Sequence, residues 1–226
     1  MKDTHLYHTF LRRWTLACGL AEFGGIGLAG LIAGLVLYKI GEPVQWADKI
    51  TVLAAMMLAG AAEGWLVGTF QANVLREKIP NLSRPAWIRA TIAVAVAGWF
   101  LGMLPSTLMA GQPPDEPGAE PPLWAIALGA VAMGLAFGAI FGLAQQRVLR
   151  RYIANSRPWI IANSLAWGGG LWWVYLGASW EKGGEPLWVL VLSGVVSGLL
   201  MGLTVGWITG WFLVRMLRDH HPIPPN

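Results

Sequence analysis

Two acidic residues, Glu22 and Glu63, lie well inside long apolar segments of the chain. A rise of 1.5 Å per helical residue places Glu22 about 12 Å from Trp14 and Glu63 about 19 Å from Arg76. We expect Trp14 and Arg76 to mark the same face of a membrane. The two carboxyl groups can therefore lie near the bilayer midplane, within reach of each other across one helical hairpin.

A carboxyl group at that depth costs about 2.5–3.5 kcal/mol on insertion scales and is a candidate functional group. Low dielectric favours its neutral form, and two adjacent carboxyls cannot both ionise cheaply. One hypothesis is that Glu22 and Glu63 share a proton and serve as a proton or cation site. The alternatives are that each is protonated and hydrogen-bonded within the helix packing, or that one pairs with a basic residue of another subunit.

The segments around these residues indicate an integral membrane protein. Of the 226 residues, 55% are hydrophobic and 12% are charged, against about 25% charged in soluble domains. Six apolar stretches reach the roughly 20 residues that cross a bilayer core: 14–38, 51–75, 86–110, 123–149, 158–178 and 187–214. The sequence therefore predicts an all-α protein with six transmembrane helices in a single membrane domain.

Three of these stretches share a pattern of glycines spaced four residues apart. The glycines are Gly60, Gly64 and Gly68; Gly134, Gly138 and Gly142; and Gly198, Gly202 and Gly206. The stretches before them share Trp14, Trp87 and Trp159. The repeated unit is thus a two-helix hairpin, used three times in the same orientation, at about 10–82, 83–155 and 156–218, with a flexible tail at 219–226.

The glycine spacing predicts close helix packing, because residues four apart lie on one helical face and small residues let helices approach in lipid. We expect the second, fourth and sixth helices to cluster around a pseudo-threefold axis, with the odd-numbered helices outside. Gln71, Gln145 and Asn163 lie near the basic ends of the helices, where they can bond neighbouring helices or lipid headgroups.

The repeat also shows which positions differ between its copies. Where the first copy has Glu22, the later copies have Ala95 and Trp167. Where it has Glu63, they have Phe137 and Met201. If the repeat is scaffold, function is expected where the copies differ.

Basic residues predict the orientation of the chain. They cluster before the first predicted helix, in the second and fourth connections and after the sixth helix. The positive-inside rule then places both termini in the cytoplasm, in what we expect to be a bacterial inner membrane. The cytoplasmic loops are too short to supply a folded basic surface for nucleic acid.

Several kinds of chemistry are disfavoured. Histidine occurs only at positions 5, 8, 220 and 221, outside the apolar stretches. The sequence has no P-loop, no metal-ligand constellation and no nucleophile–base pair, so we expect no enzyme and no metal. No cofactor is certain; a lipid, quinone or pigment bound among the tryptophans, without histidine ligation, stays open.

Two helix endings carry a family resemblance. Gln71-x-x-Val74-Leu75-Arg76 is matched by Gln145-x-x-Val148-Leu149-Arg150. These endings resemble those of uncharacterised bacterial multi-pass membrane proteins, whose glycine-rich helices end in Gln-Trp-x-Val-Leu-Arg-Arg. This chain departs from them in having Ala72 and Gln146 where Trp is expected. The resemblance implies the fold alone.

Two functions are compatible with these features. The glycine faces and surplus of tryptophan favour a structural or interaction subunit of a larger membrane complex, with other membrane subunits or copies of itself as partners besides the bilayer. The alternative is a small proton- or cation-coupled transporter or channel that uses Glu22 and Glu63.

Overall fold

The computed structural model describes residues 2–111, 122–179 and 186–219. Over these residues the chain is all-helical, as predicted, and contains no β-strand. The six helices are α1 Lys2–Ile40, α2 Trp46–Leu75, α3 Arg84–Met109, α4 Leu123–Leu149, α5 Pro158–Ser179 and α6 Leu187–Arg218. The predicted flexible tail at 219–226 lies outside the described residues except for Asp219.

Five of the helices are long and apolar enough to cross a membrane: α1, α2, α3, α4 and α6. The sixth, α5, has 22 residues and so extends about 33 Å, long enough for a bilayer core.

The helices form a closed ring. Each packs against the next in sequence, and α6 packs back against α1. The contact between α3 and α4 is the least extensive of the six. The predicted cluster of α2, α4 and α6 around a common axis is wrong, because no two of these helices approach closely over the described residues. Each odd-numbered helix instead lies between two even-numbered ones.

The glycine faces explain the ring. A Cβ atom on Gly64 of α2 would lie 2.8 Å from Cα of Ile92 on α3. On Gly142 of α4 it would lie 2.8 Å from Cα of Ile160 on α5. The glycines of α6 pack in the same way against α1, and all nine predicted packing glycines lie against a neighbouring helix. The glycine faces therefore join each even-numbered helix to the next odd-numbered one, and α6 to α1.

The largest part of the core lies at one end of the ring, where α1 begins and α6 ends. It includes Phe10, Leu75, Leu149 and Leu213. At this end the guanidinium of Arg218 lies 4.6 Å from the ring centroid of Tyr7, so the two ends of the chain's helical part are neighbours. We call this the tryptophan end, after the residues described next.

Candidate functional site

Three tryptophans meet in the interior at the tryptophan end. Trp14 of α1, Trp87 of α3 and Trp159 of α5 are each fully buried. Their ring centroids are 5.9 Å apart for Trp14 and Trp159 and 6.0 Å apart for Trp87 and Trp159. The three tryptophans that recur along the chain therefore come together in the interior of the ring.

Each indole N–H of this group has a polar acceptor on an even-numbered helix. Trp14 donates to Oγ1 of Thr209 at 2.9 Å. Trp87 donates to Oε1 of Gln71 at 3.2 Å, and Trp159 to Oε1 of Gln145 at 3.1 Å. We call Trp14, Trp87, Trp159, Gln71, Gln145 and Thr209 the tryptophan layer.

Gln145 connects the members of this layer. Its Nε2 donates to Oε1 of Gln71 and to Oγ1 of Thr91, each at 3.0 Å. Gln71 in turn donates to Sγ of Cys18 at 3.6 Å, and Asn163 donates to the carbonyl of Trp159 at 2.9 Å. Gln71, Gln145 and Asn163 are therefore buried side chains that bond other helices or their own helix.

Glu22 and Glu63 lie next to this layer and are brought together. Glu22 follows Cys18 by one turn of α1 and is 3% exposed, while Glu63 on α2 is 5% exposed. Their carboxyl groups are within hydrogen-bonding reach of each other. The indole Nε1 of Trp99 on α3 donates to Oε2 of Glu63 at 2.7 Å. We call Glu22, Glu63 and Trp99 the carboxyl site.

Glycines provide the space for both carboxyl side chains. The side chain of Glu63 lies against Gly25 of α1, and that of Glu22 lies against Gly202 of α6. Apolar side chains occupy the corresponding places elsewhere in the ring, where Gly98 faces Phe137 and Gly170 faces Met201. The carboxyl groups therefore fill positions that the same packing otherwise fills with apolar side chains.

No basic side chain neutralises the pair within the described residues. The ion pair found among the described residues joins Arg13 to Glu77 at 3.0 Å, at the tryptophan end. The buried Lys49 donates to the carbonyl of Leu108 at 3.0 Å, near the opposite end of α2. Two neighbouring carboxyls in a low dielectric cannot both ionise cheaply. Oε2 of Glu22 is buried and has no hydrogen-bond partner.

A cavity of about 390 Å³ extends to Glu63. It lies mainly between α3 and α4, where the ring is least tightly packed. Its walls are apolar apart from Glu63 and the indoles of Trp99 and Trp167. Over the described residues, no group of three or more His, Cys, Asp or Glu side chains could hold a metal ion.

Trp99 belongs to the carboxyl site but is not among the predicted site residues. A signal for it existed, since the repeat places Ile26 and Leu171 at the corresponding positions of the other copies. All three of these residues line the cavity. Trp99 thus differs from its counterparts in the other copies, as Glu22 and Glu63 do.

The long apolar helices, together with the many large hydrophobic side chains exposed on them, indicate a multi-pass α-helical membrane protein. Comparisons with protein-family models, with curated proteins and with solved structures find no match to this chain.

Proposed function

We propose that the protein is a small proton- or cation-coupled transporter in which Glu22 and Glu63 form the exchange site. The observation that supports this most directly is the contact between two buried carboxyl groups without a basic partner among the described residues. Structural carboxyls in a membrane interior are expected to be paired or fully hydrogen-bonded, because a charge there is costly. An oxygen of Glu22 without a partner leaves room for an exchangeable proton or a bound cation.

The exchange follows from electrostatics. Two adjacent carboxyls hold one proton strongly, since the doubly ionised pair is repulsive in a low dielectric. A cation beside the pair replaces the proton as the counter-charge, so binding of one favours release of the other. A carrier that alternates between the two states couples the movement of the cation to that of the proton.

Reconstituted vesicles test this function. Purified protein in liposomes is expected to dissipate an imposed proton gradient when a permeant cation substrate is supplied. Glu22→Gln and Glu63→Gln should each abolish the flux, and Glu77→Gln, which changes an acidic residue of the ion pair at the tryptophan end, is the matched control. Full activity in the Glu22→Gln/Glu63→Gln double variant would contradict the proposal.

A second measurement examines the shared proton without any substrate. Infrared spectra of the wild type should show the C=O stretch of a protonated carboxyl that shifts in D₂O. The band should be absent from the Glu22→Gln/Glu63→Gln double variant and present in Glu77→Gln. A wild-type spectrum without this band over the working pH range would mean that the pair holds no proton.

We further propose that the ring consists of three hairpins in the same orientation, all six helices crossing a bacterial inner membrane with both termini cytoplasmic. The equivalent contacts of Trp14, Trp87 and Trp159 support the repeat. The basic residues at the tryptophan end, including Arg13 and Arg218, support the orientation through the positive-inside rule. Fusion of a reporter active only in the periplasm to either terminus should give no signal.

A role as a structural or interaction subunit of a membrane complex is the second candidate. Gly30 and Gly34 lie on the half of α1 away from the tryptophan end. They favour the subunit role, because a Cβ atom on either would have no neighbour within 4 Å. This open face could accept a helix of another subunit or a second copy of the chain. The nine glycines of α2, α4 and α6 do not add to this argument, since they pack within the chain.

Purification in mild detergent separates the two candidates. A defined partner that co-purifies with the wild type and is lost in Gly30→Leu/Gly34→Leu would favour the subunit. A protein that purifies alone and supports flux would favour the transporter.

A further inference from the structure

The cavity between α3 and α4 opens through the side of the ring. Near its mouth are Leu101 of α3 and Met133 and Ile140 of α4, which are 55%, 59% and 50% exposed. In a membrane these exposed apolar side chains face acyl chains. A molecule can therefore enter this cavity from the bilayer without first crossing water.

The inner part of the cavity reaches the opposite side of the ring. There it is lined by Met201 of α6, Trp167 of α5 and Glu63 of α2, all of them at least nine-tenths buried. The indole N–H of Trp167 has no hydrogen-bond partner, although it is buried. A volume of about 390 Å³ lies within the usual range of ligand cavities, about 300–1,000 Å³.

The chemistry of the walls selects the occupant. Glu63 is the ionisable group among the lining residues, and the carboxyl site lacks a basic partner within the described part of the chain. Phe137, Trp99 and Trp167 add aromatic rings, which attract cations through their π faces. The remaining walls are aliphatic or glycine, and they favour an apolar body.

We propose that this cavity is the substrate site of the transporter, and that it takes a lipophilic cation directly from the bilayer. The inference rests on the proposed function of the carboxyl site. The apolar body of the ligand lies between α3 and α4, and its positive charge lies beside Glu63. Binding displaces the proton shared by Glu22 and Glu63 to solvent, so that one positive charge replaces another.

Protons therefore compete with the ligand, and binding weakens as the pH falls. The titratable groups that face the exchange are Glu22 on α1 and Glu63 on α2, with Cys18 on α1 close to Glu22. Within the described residues, α5 carries no charged side chain, and those of α3, α4 and α6 lie in the turns at the tryptophan end. The charged residues of these three helices are Arg84, Arg89, Arg147, Arg215 and Arg218.

Equilibrium binding of tetraphenylphosphonium to the purified full-length protein in detergent tests the inference. Saturable binding, with release of about one proton per cation in weakly buffered solution, is the expected result for the wild type. The neutral triphenylphosphine oxide should bind at least about tenfold more weakly, equivalent to about 1.4 kcal/mol. Equal binding of the two probes would overturn the proposal.

Cavity-filling variants locate the bound cation. Gly102 lines the cavity and a Cβ atom there has no neighbour within 4 Å, so Gly102→Leu adds bulk without an immediate clash. It should weaken tetraphenylphosphonium binding at least about tenfold. Gly30→Leu is the matched control, since Gly30 is equally open but lies outside the cavity. Ala136→Leu on α4 provides a second filling variant if Gly102→Leu does not fold.

The results separate the two proposals. If the infrared carboxyl band is present but tetraphenylphosphonium does not bind the wild type, the cavity between α3 and α4 is not the substrate site and the proton site stands. The same conclusion follows if the cation binds Gly102→Leu as tightly as it binds the wild type. If the band is absent over the working pH range, both proposals fail. Loss of binding in Gly102→Leu and in Glu63→Gln, with binding retained in Gly30→Leu, supports the inference.

Discussion

The tryptophan layer uses all six helices, whereas the carboxyl site uses α1, α2 and α3 and lies about two turns further along α1. The two regions differ in how their polar groups are satisfied. In the tryptophan layer, all three indoles donate to side chains of even-numbered helices. In the carboxyl site, an oxygen of Glu22 has no partner, and the neighbouring Trp167 has an unpaired N–H. The first layer repeats around the ring, whereas the second is confined to one side of it.

The difference suggests that the two regions have different roles. Buried polar networks in which every member is bonded rigidify a structure and specify its packing. Buried polar groups without partners cost stability, by about 1–3 kcal/mol each, and are expected where a ligand or proton binds. We therefore propose that the tryptophan layer stabilises the fold and that the carboxyl site serves function. Four sets of substitutions test that proposal.

The largest effect is expected from filling a glycine face. Gly138→Leu would drive a side chain into the backbone of α5 at Asn163. Overpacking typically costs about 1–3 kcal/mol and sometimes more, and here the neighbour is backbone that cannot rotate away. We expect loss of monodisperse protein in size-exclusion chromatography, whereas Gly34→Leu on the open face of α1 should behave as the wild type. A well-folded Gly138→Leu would show that the glycine faces are not required.

A smaller but clear loss is expected from the tryptophan layer. Gln145→Leu removes the acceptor of Trp159 and the donor to Gln71 and Thr91. Leaving a buried donor unpaired should lower stability by about 1–3 kcal/mol, measured as a shift of thermal unfolding in detergent. Adding Trp159→Phe removes that orphaned donor, so the double variant should lose less than the sum of the single losses. Additive losses would mean that the bond contributes nothing.

The carboxyl site should respond in the opposite way to the same kind of substitution. Glu22→Leu/Glu63→Met replaces both acids by apolar side chains of similar size, and Met is already found at the corresponding position 201. Replacing a buried polar pair by packed apolar groups is often neutral or stabilising. We expect thermal unfolding at an unchanged or higher temperature together with complete loss of flux. A large loss of stability would assign the carboxyl pair to the fold and break the comparison.

The smallest effect is expected at the surface of the tryptophan end. Glu77→Gln removes the ion pair with Arg13, in which the side chain of Arg13 is 60% exposed. Exposed pairs contribute less than about 1 kcal/mol and are screened by salt. Thermal unfolding should shift little, and any difference from the wild type should shrink in high salt. A large shift that persists in salt would show that this end depends on charge as well as on the tryptophan layer.

Much of the fold could be predicted because its determinants are local. Apolar stretches long enough to span a bilayer identified the helices, and glycines four residues apart identified the faces that pack. The partner of each face could not be predicted, because Gly64 accommodates any neighbouring backbone equally well. Only the tertiary structure showed that the partner is the next odd-numbered helix, and it thereby replaced the expected central cluster by a ring.

The same limit applies to the candidate site. The sequence by itself determined that Glu22 and Glu63 differ from their counterparts and lie well inside apolar segments, because both properties depend on nothing beyond the chain. The tertiary structure decided that the two carboxyls are neighbours, that Trp99 bonds one of them and that a cavity between α3 and α4 reaches Glu63. These contacts join residues of different helices, and their geometry depends on the rotation of each helix about its axis, which periodicity alone does not define.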